Sequence, residues 1–207
     1  MKNVAILLSG RGSNFLALSD AIEARKIPAR IAIVVSNKPE APGLEHARNR
    51  GYKTAFVPSA GMEREAFDRL VAAELDAVGV DFICLAGFMR LLSPWFVAKY
   101  PMKILNIHPS LLPAFPGVHS QSQALVWGAK VTGCTVHFVD EELDHGPIII
   151  QHPVPILEDD TEESLSARIL VHEHQIYPEA LRIVCEDRFR LDGRRLVIEP
   201  AAEQAPL

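Results

Sequence analysis

The sequence predicts an α/β fold with an open, mostly parallel, Rossmann-like sheet flanked by helices, and a C-terminal part with antiparallel strands and a long helix. Two observations support this prediction. Short apolar segments alternate with amphipathic helical patterns in the first half of the chain, as in sheets whose parallel strands are joined by right-handed helical crossovers. After Pro109 this alternation gives way to a proline-rich loop and two neighbouring strand-like segments.

The first half of the chain supplies the predicted parallel sheet. Its strands are four short apolar runs, at Val4 to Leu8, Ile31 to Val35, Phe82 to Ala86 and Ile104 to Ile107. Its helices are three amphipathic stretches, at Asn14 to Arg25, Pro42 to Arg50 and Met62 to Val78. Runs that are apolar throughout are typical of parallel strands, because helices cover both faces of such a sheet.

The second half begins with a rigid loop. The segment Ser110 to Gly117 contains two prolines and a glycine, which exclude a regular helix or a central strand. Two strands are predicted after it, at Thr132 to Val139 and Pro147 to Pro155, and an acidic turn joins them.

A long helix and a hairpin are predicted to follow. The helix is expected to begin near Asp160 or Thr161, and Pro178 is expected to kink it or to end a segment. Its predicted buried face carries four apolar side chains, Leu165, Ile169, Ile176 and Leu181. The turn residues Asp192 and Gly193 predict a hairpin over Arg190 to Ile198.

Composition excludes several classes of function. The formal net charge of -5 offers no basic face for nucleic acid or for an anionic membrane. No secretion signal and no run of about 18 apolar residues is readable, so we expect a cytoplasmic protein. The three cysteines lie far apart, which predicts buried thiols, with neither a disulfide framework nor a metal site.

A glycine-rich loop, Ser9 to Asn14, follows the first strand and opens the first helix. Backbone N–H groups and the helix dipole bind phosphate at such a position, although a plain tight turn capped by Ser13 has the same pattern. A dinucleotide site would require a small residue in place of Phe15 and an acid at the end of the second strand. Lys38 stands there instead, which favours a phosphomonoester and is also compatible with a nicotinamide cofactor bearing a 2′-phosphate.

Asn106 and His108 end the fourth strand, at the edge of the sheet where open α/β folds bind ligands. Residues two apart on a strand face the same side, so an amide and an imidazole project together. They are suited to stabilise an oxyanion and to donate a proton. Asp144, in the acidic turn, is the candidate for holding the imidazolium. The alternative is that His108 only ends a strand and Asp144 only makes a turn.

Several blocks of sequence resemble the folate-dependent formyltransferases. The resemblance is carried by Asn106 to Pro113, then Pro116, Gly117 and His119, then Leu143 to Ile148. It extends over nearly the whole chain, from Ser9 to Asn14 through Leu85 to Arg90 and on to Glu173 to Pro178. His145 departs from it, since many members have glycine there, and Arg11 occupies a variable position.

The resemblance implies that the chain transfers the formyl group of 10-formyltetrahydrofolate to the amine of glycinamide ribonucleotide in purine biosynthesis, without a metal. Asn106, His108 and Asp144 are then the catalytic residues. The implied substrate-binding positions, together with Lys38, are Gly12, Ser13, Asn14, Leu170, Val171, His172 and Glu173, with Glu173 as the acid on the ribose. The implied folate-binding positions are Arg64, Met89, Arg90, Leu91, Leu92, Asn106, Asp140, Glu141, Glu142, Leu143 and Asp144.

We therefore expect one domain over residues 1–199, with a phosphate-binding half at 1–108, a folate-binding and catalytic half at 109–199, and a tail at 200–207. The expected partners are small molecules, with neither nucleic acid nor membrane, and the chain is expected to be a monomer or a homodimer. Three alternatives remain. A methionyl-tRNA formyltransferase is expected to have an added C-terminal domain and a basic face for tRNA. A formyltetrahydrofolate hydrolase is expected to have an added N-terminal domain. A nonenzymatic sugar-phosphate or nucleotide binder would use the glycine loop alone.

Overall fold

A computed structural model describes residues 1–199, and the predicted tail at 200–207 lies outside the described residues. Seven strands form the main sheet: β1 (Lys2–Leu8), β2 (Ala29–Ser36), β3 (Thr54–Phe56), β4 (Phe82–Leu85), β5 (Ile104–His108), β6 (Val131–Phe138) and β7 (Ile148–Pro155). Their order is β3-β2-β1-β4-β5-β6-β7. The first five strands are parallel, and β6 and β7 continue the sheet in antiparallel fashion. The predicted fold class is confirmed.

Helices flank the sheet. They are α1 (Ser13–Glu23), α2 (Pro42–Asn49), α3 (Arg64–Asp76), α4 (Pro94–Lys99), α5 (Ser120–Val126) and α6 (Glu162–Cys185). Helix α6 begins as predicted, at a capping box in which Thr161 and Ser164 bond to each other's backbone. It continues through Pro178, so the prediction that a segment ends there is wrong. The predicted hairpin follows as β8 (Phe189–Asp192) and β9 (Arg195–Ile198).

The two faces of the sheet carry separate hydrophobic cores. One core packs α1 and α6 against the sheet, and the other packs α3 and α4 against the opposite face. Buried Tyr177 of α6 reaches the sheet with its hydroxyl, which lies 3.0 Å from the Leu85 carbonyl oxygen and 3.1 Å from that of Leu105. Helix α6 is thereby fixed to β4 and β5 next to Asn106.

The strand order reverses direction around β1 and β4. The connection from β1 leads to β2 on one side, and β4 and β5 are added on the other. The loops that leave β1 and β4 therefore diverge, which opens a crevice at the carboxyl edge of the sheet. Three of the predicted site segments lie at this edge: the glycine loop after β1, the loop after β4, and the end of β5.

Candidate active site

The predicted catalytic residues come together at the end of β5. Asn106 and His108 are on that strand, and Asp144 lies in the connection between β6 and β7. His108 Nδ1 is 3.4 Å from Asp144 Oδ2, and the two side chains are only 6% and 8% exposed. The same carboxylate oxygen accepts a hydrogen bond of 2.7 Å from the backbone N–H of Gly117. Asp144 is thus anchored to the proline-rich loop as well as to the imidazole.

Both ring nitrogens of His108 face acceptors. Nε2 lies 2.9 Å from the carbonyl oxygen of Phe115, which can only accept, so Nε2 carries a proton. Nδ1 faces the Asp144 carboxylate. The ring is thus held between the Phe115 carbonyl and the Asp144 carboxylate, which fixes its orientation.

His137 is a site residue that the sequence interpretation missed. It lies opposite Asn106 on β6, where its Nε2 is 3.2 Å from the amide nitrogen of Asn106. Its Nδ1 is 2.7 Å from the carbonyl oxygen of Phe138 and must donate, so Nε2 accepts the proton of the amide. Burial lowers the pKa of His137, which is consistent with this neutral ring. The amide of Asn106 is held in one orientation, with its second N–H free to point away from His137.

The glycine loop leads directly into α1. Gly12 is the N-cap residue and has a φ of 78°, and a side chain there would lie 2.6 Å from the Cα atom of Gly43. No side-chain hydrogen bond caps this helix, so the alternative interpretation of Ser13 as a cap is wrong. The first-turn N–H groups of α1 therefore lack an acceptor from a capping side chain, as an anion-binding turn requires.

Asn14 and Glu173 join the glycine loop to α6. Asn14 Nδ2 donates to Glu173 Oε2 over 2.8 Å, and both residues are buried. Burial raises the pKa of the Glu173 carboxyl, and the bond from Asn14 lowers it by less. Among the other predicted substrate positions on α6, Val171 is exposed and the ring of His172 stacks on that of His152.

A chain of hydrogen bonds connects the loops after β1, β2 and β4. Ser9 Oγ donates to Asn37 Oδ1 over 2.6 Å and accepts from the backbone N–H of Met89. Asn37 Nδ2 donates to Ser59 Oγ, and the Arg90 guanidinium donates to the Ser59 carbonyl. The phosphate-side loop and the predicted folate-side loop are therefore rigidly connected through Asn37. Exposed Lys38 directly follows this residue.

The predicted folate positions combine exposed apolar, basic and acidic side chains. Met89, Leu91 and Leu143 are more than half exposed, so each offers apolar surface to a ligand. Arg90 lies over the ring of Phe67 at 4.6 Å, and Leu92 is partly buried beside the same core. The remaining predicted positions are Arg64, exposed at the start of α3, and the acidic turn residues Asp140, Glu141 and Glu142.

Residues 1–199 contain neither a candidate metal cluster nor a candidate membrane-spanning helix. No group of three or more His, Cys, Asp or Glu side chains is placed to hold a metal ion. Within the same residues, none of the helices has the length and apolarity needed to span a bilayer.

Comparison with known proteins places these features in a family. The family model described as formyl transferase matches residues 2–181. Phosphoribosylglycinamide formyltransferase of Escherichia coli (strain K12) is 45% identical over 202 residues, which is 94% of this chain and 95% of that protein. The trifunctional purine biosynthetic protein adenosine-3 of Drosophila melanogaster is 49% identical over 186 residues. This alignment covers 88% of the present chain and 14% of that much longer protein.

A solved structure gives the same result. Glycinamide ribonucleotide transformylase 1 from Symbiobacterium toebii superposes with a TM-score of 0.94 and is 49% identical, with 97% of this chain and 95% of that chain covered. The match includes the fold and nearly the full length of both chains. The chain therefore belongs to the formyl transferase family.

Proposed function

We propose that this chain transfers the formyl group of 10-formyltetrahydrofolate to the amine of phosphoribosylglycinamide, releasing tetrahydrofolate. The observation that carries the proposal is the buried His108–Asp144 pair beside an oriented Asn106, at the same sheet edge as the helix α1 N-terminus that no side chain caps. High identity to a phosphoribosylglycinamide formyltransferase over nearly the whole of both chains supports this choice of substrate.

In the proposed reaction the amine nitrogen attacks the formyl carbon and a tetrahedral oxyanion forms. The free N–H of Asn106 and a protonated nitrogen of His108 stabilise the oxyanion, which is the charge that appears only in the transition state. Collapse breaks the bond from the formyl carbon to N10 of the carrier. The amine loses one proton and N10 gains one, so the overall transfer is balanced without a covalent enzyme intermediate.

His108 must exchange one partner before it acts. Its Nε2–H is occupied by the carbonyl oxygen of Phe115, at 2.9 Å, in the described structure. A substrate oxygen replaces that carbonyl as the acceptor. Asp144 stays at Nδ1, 3.4 Å away, and orients the ring.

The substrate and the carrier are assigned to opposite sides of this centre. The first turn of α1, at Gly12, Ser13 and Asn14, holds the phosphate, with Lys38 nearby and Glu173 accepting from the ribose hydroxyls. The carrier lies along the rim formed by Met89 to Leu92 and by the acidic turn 140–144. Arg64 meets the carboxylates of its glutamate tail.

The activity is tested with the purified chain and 10-formyltetrahydrofolate, by following the release of tetrahydrofolate. Phosphoribosylglycinamide should support rapid release, whereas methionyl-tRNA and water alone should not. Release with methionyl-tRNA only would assign the chain to tRNA formylation. Release that is equal with and without an amine would make it a hydrolase, and binding without turnover would make it a nonenzymatic binder.

A further inference from the structure

The hairpin β8–β9 contacts the loop that carries Asp144. Arg194, in the hairpin turn, donates through Nη2 to the backbone carbonyl of His145, and its Nη1 lies 2.7 Å from His145 Nε2. On its other side, His145 Nδ1 is 2.8 Å from Asp140 Oδ2. The three side chains thus form a continuous row from the hairpin to the start of the acidic turn.

The base of the hairpin is fixed on the strand that leads into this loop. The ring of Phe189 packs on the ring of Phe138, the last residue of β6, with 5.6 Å between centroids. Arg188 donates to the carbonyl of Glu199 at the far end of β9, which closes the hairpin. The hairpin therefore contacts this part of the chain twice. Phe189 packs on Phe138 before the loop, and Arg194 bonds to His145 within it.

The loop itself has little freedom near Asp144. Asp144 has a φ of 51°, in the left-handed region that residues with side chains seldom occupy. The backbone of Gly146 lies so close to that of Phe138 that a Cβ atom on residue 146 would be 1.9 Å from the Phe138 carbonyl oxygen. A contact on the backbone of His145, between these two positions, bears directly on where the Asp144 carboxylate points.

The charges around His145 set its hydrogen-bonding role. An arginine only donates, so Nε2 of His145 accepts and Nδ1 donates to Asp140. The other charged group within 4 Å of the ring is Glu142, whose carboxylate oxygen is 3.9 Å from Nδ1. Nη1 of Arg194 also lies 3.1 Å from Nδ1, so the guanidinium faces both ring nitrogens, and the simple donor–acceptor pair of this contact is the bond from Nη2 to the His145 carbonyl.

We propose that Arg194 and His145 are positioning residues that hold the loop 140–146, and with it both Asp144 and the acidic turn assigned to the carrier. The kinetic part of this inference rests on the proposed function, and the structural part does not. The Arg194 end of this contact lies outside the residues 2–181 that the family model matches.

The test compares Arg194→Ala with Arg195→Ala, a control at the adjacent exposed arginine of the same hairpin. Hydrogen exchange of the full-length protein is followed at the amides of 140–146 and at those of β1. Loss of the charge-assisted contacts should speed exchange in the loop by roughly tenfold, without changing β1. Arg194→Lys keeps the positive charge but loses the pair of guanidinium N–H donors, so exchange in the loop should be intermediate. This variant also provides the test if the alanine variant fails to fold.

Kinetics provide the second measurement. Arg194→Ala should raise KM for 10-formyltetrahydrofolate several-fold and leave KM for phosphoribosylglycinamide unchanged, whereas a general loss of stability would affect both. In the His145→Gly background the effect of Arg194→Ala should shrink, because the ring contact is already gone. Unchanged loop exchange and an unchanged carrier KM in Arg194→Ala would overturn the inference. A wild-type protein that transfers no formyl group would instead refute the proposed function, and the exchange data would still decide the role of Arg194.

Discussion

The amide of Asn106 donates to the neutral imidazole of His137 across neighbouring antiparallel strands, with 3.2 Å between Nδ2 and Nε2. His137 is buried, and its other nitrogen is fixed by the backbone of Phe138. The ring therefore determines which way the Asn106 amide faces, and with it the direction of the free N–H that we assign to the oxyanion.

His137→Phe tests this orientation. Phenylalanine keeps a planar ring but offers no acceptor, so the amide should rotate among several positions and kcat should fall by about tenfold or more. KM for either substrate should change little. His137→Gln returns a carbonyl acceptor and should recover part of kcat. Steady-state rates that are the same in His137→Phe and in the wild type would remove His137 from this role.

Asp144→Asn should slow the reaction sharply. The substitution keeps the shape of the side chain and deletes the negative charge that faces His108 Nδ1 over 3.4 Å. kcat should fall because the imidazole loses its charged partner at the reacting centre, while both substrates still bind. Steady-state rates at saturating substrate measure the effect.

His145→Gly is the comparison for that loss. His145 lies next to Asp144 but makes its contacts with Asp140 and Arg194, away from His108. Its removal should raise KM for the carrier through the position of the loop 140–146, and it should lower kcat far less than Asp144→Asn does. If His145→Gly lowered kcat as much as Asp144→Asn, the role given to the Asp144 carboxylate would be misassigned.

Glu173→Gln should separate stability from substrate binding. Burial raises the pKa of this carboxyl above its ordinary value of 4.5, so the folded chain holds the proton more tightly than the unfolded chain. The contribution of Glu173 to the free energy of unfolding is greatest at a pH below 4.5, the ordinary pKa. It falls as the pH rises through the pKa that the carboxyl has in the folded chain. At pH 7 the glutamine variant should therefore unfold at a higher denaturant concentration than the wild type.

The same variant should bind phosphoribosylglycinamide more weakly, by about tenfold or more, because a neutral amide replaces a charged acceptor for the ribose hydroxyls. Its KM for the carrier should not change. Lower stability at pH 7, or an unchanged affinity for phosphoribosylglycinamide, would contradict the role given to Glu173.

Local patterns predicted most of the fold, and the failures have physical causes. The parallel strands were readable because they are apolar on both faces, and α6 because Thr161 opens a long amphipathic stretch. Strand β3 has three residues and α4 has six, which is too short for a period to appear. Helix α5 was missed for the same reason. Pro178 does not end α6, since tertiary packing of Tyr177 and its neighbours outweighs the local cost.

The candidate site was predictable where the chain itself places residues together. Asn106 and His108 share one strand, so their common side follows from alternation alone. Asp144 was a candidate as an acid in the predicted turn, and the family resemblance supported its role, since a separation of 36 residues along the chain carries no geometric information. His137 was missed because it is one of several polar residues along β6, and only the pairing of β5 with β6 brings it opposite Asn106. Arg194 was missed because contacts between a hairpin and a distant loop leave no sequence pattern.

The most direct test of the account is the single-turnover rate of formyl transfer by Asn106→Ala and by His108→Ala, with both substrates at saturating concentration. Each variant removes one donor aimed at charge that develops only in the transition state, so each rate should fall by about 100- to 1,000-fold while both substrates still bind. A rate close to that of the wild type in either variant would contradict the assignment of that residue to the oxyanion.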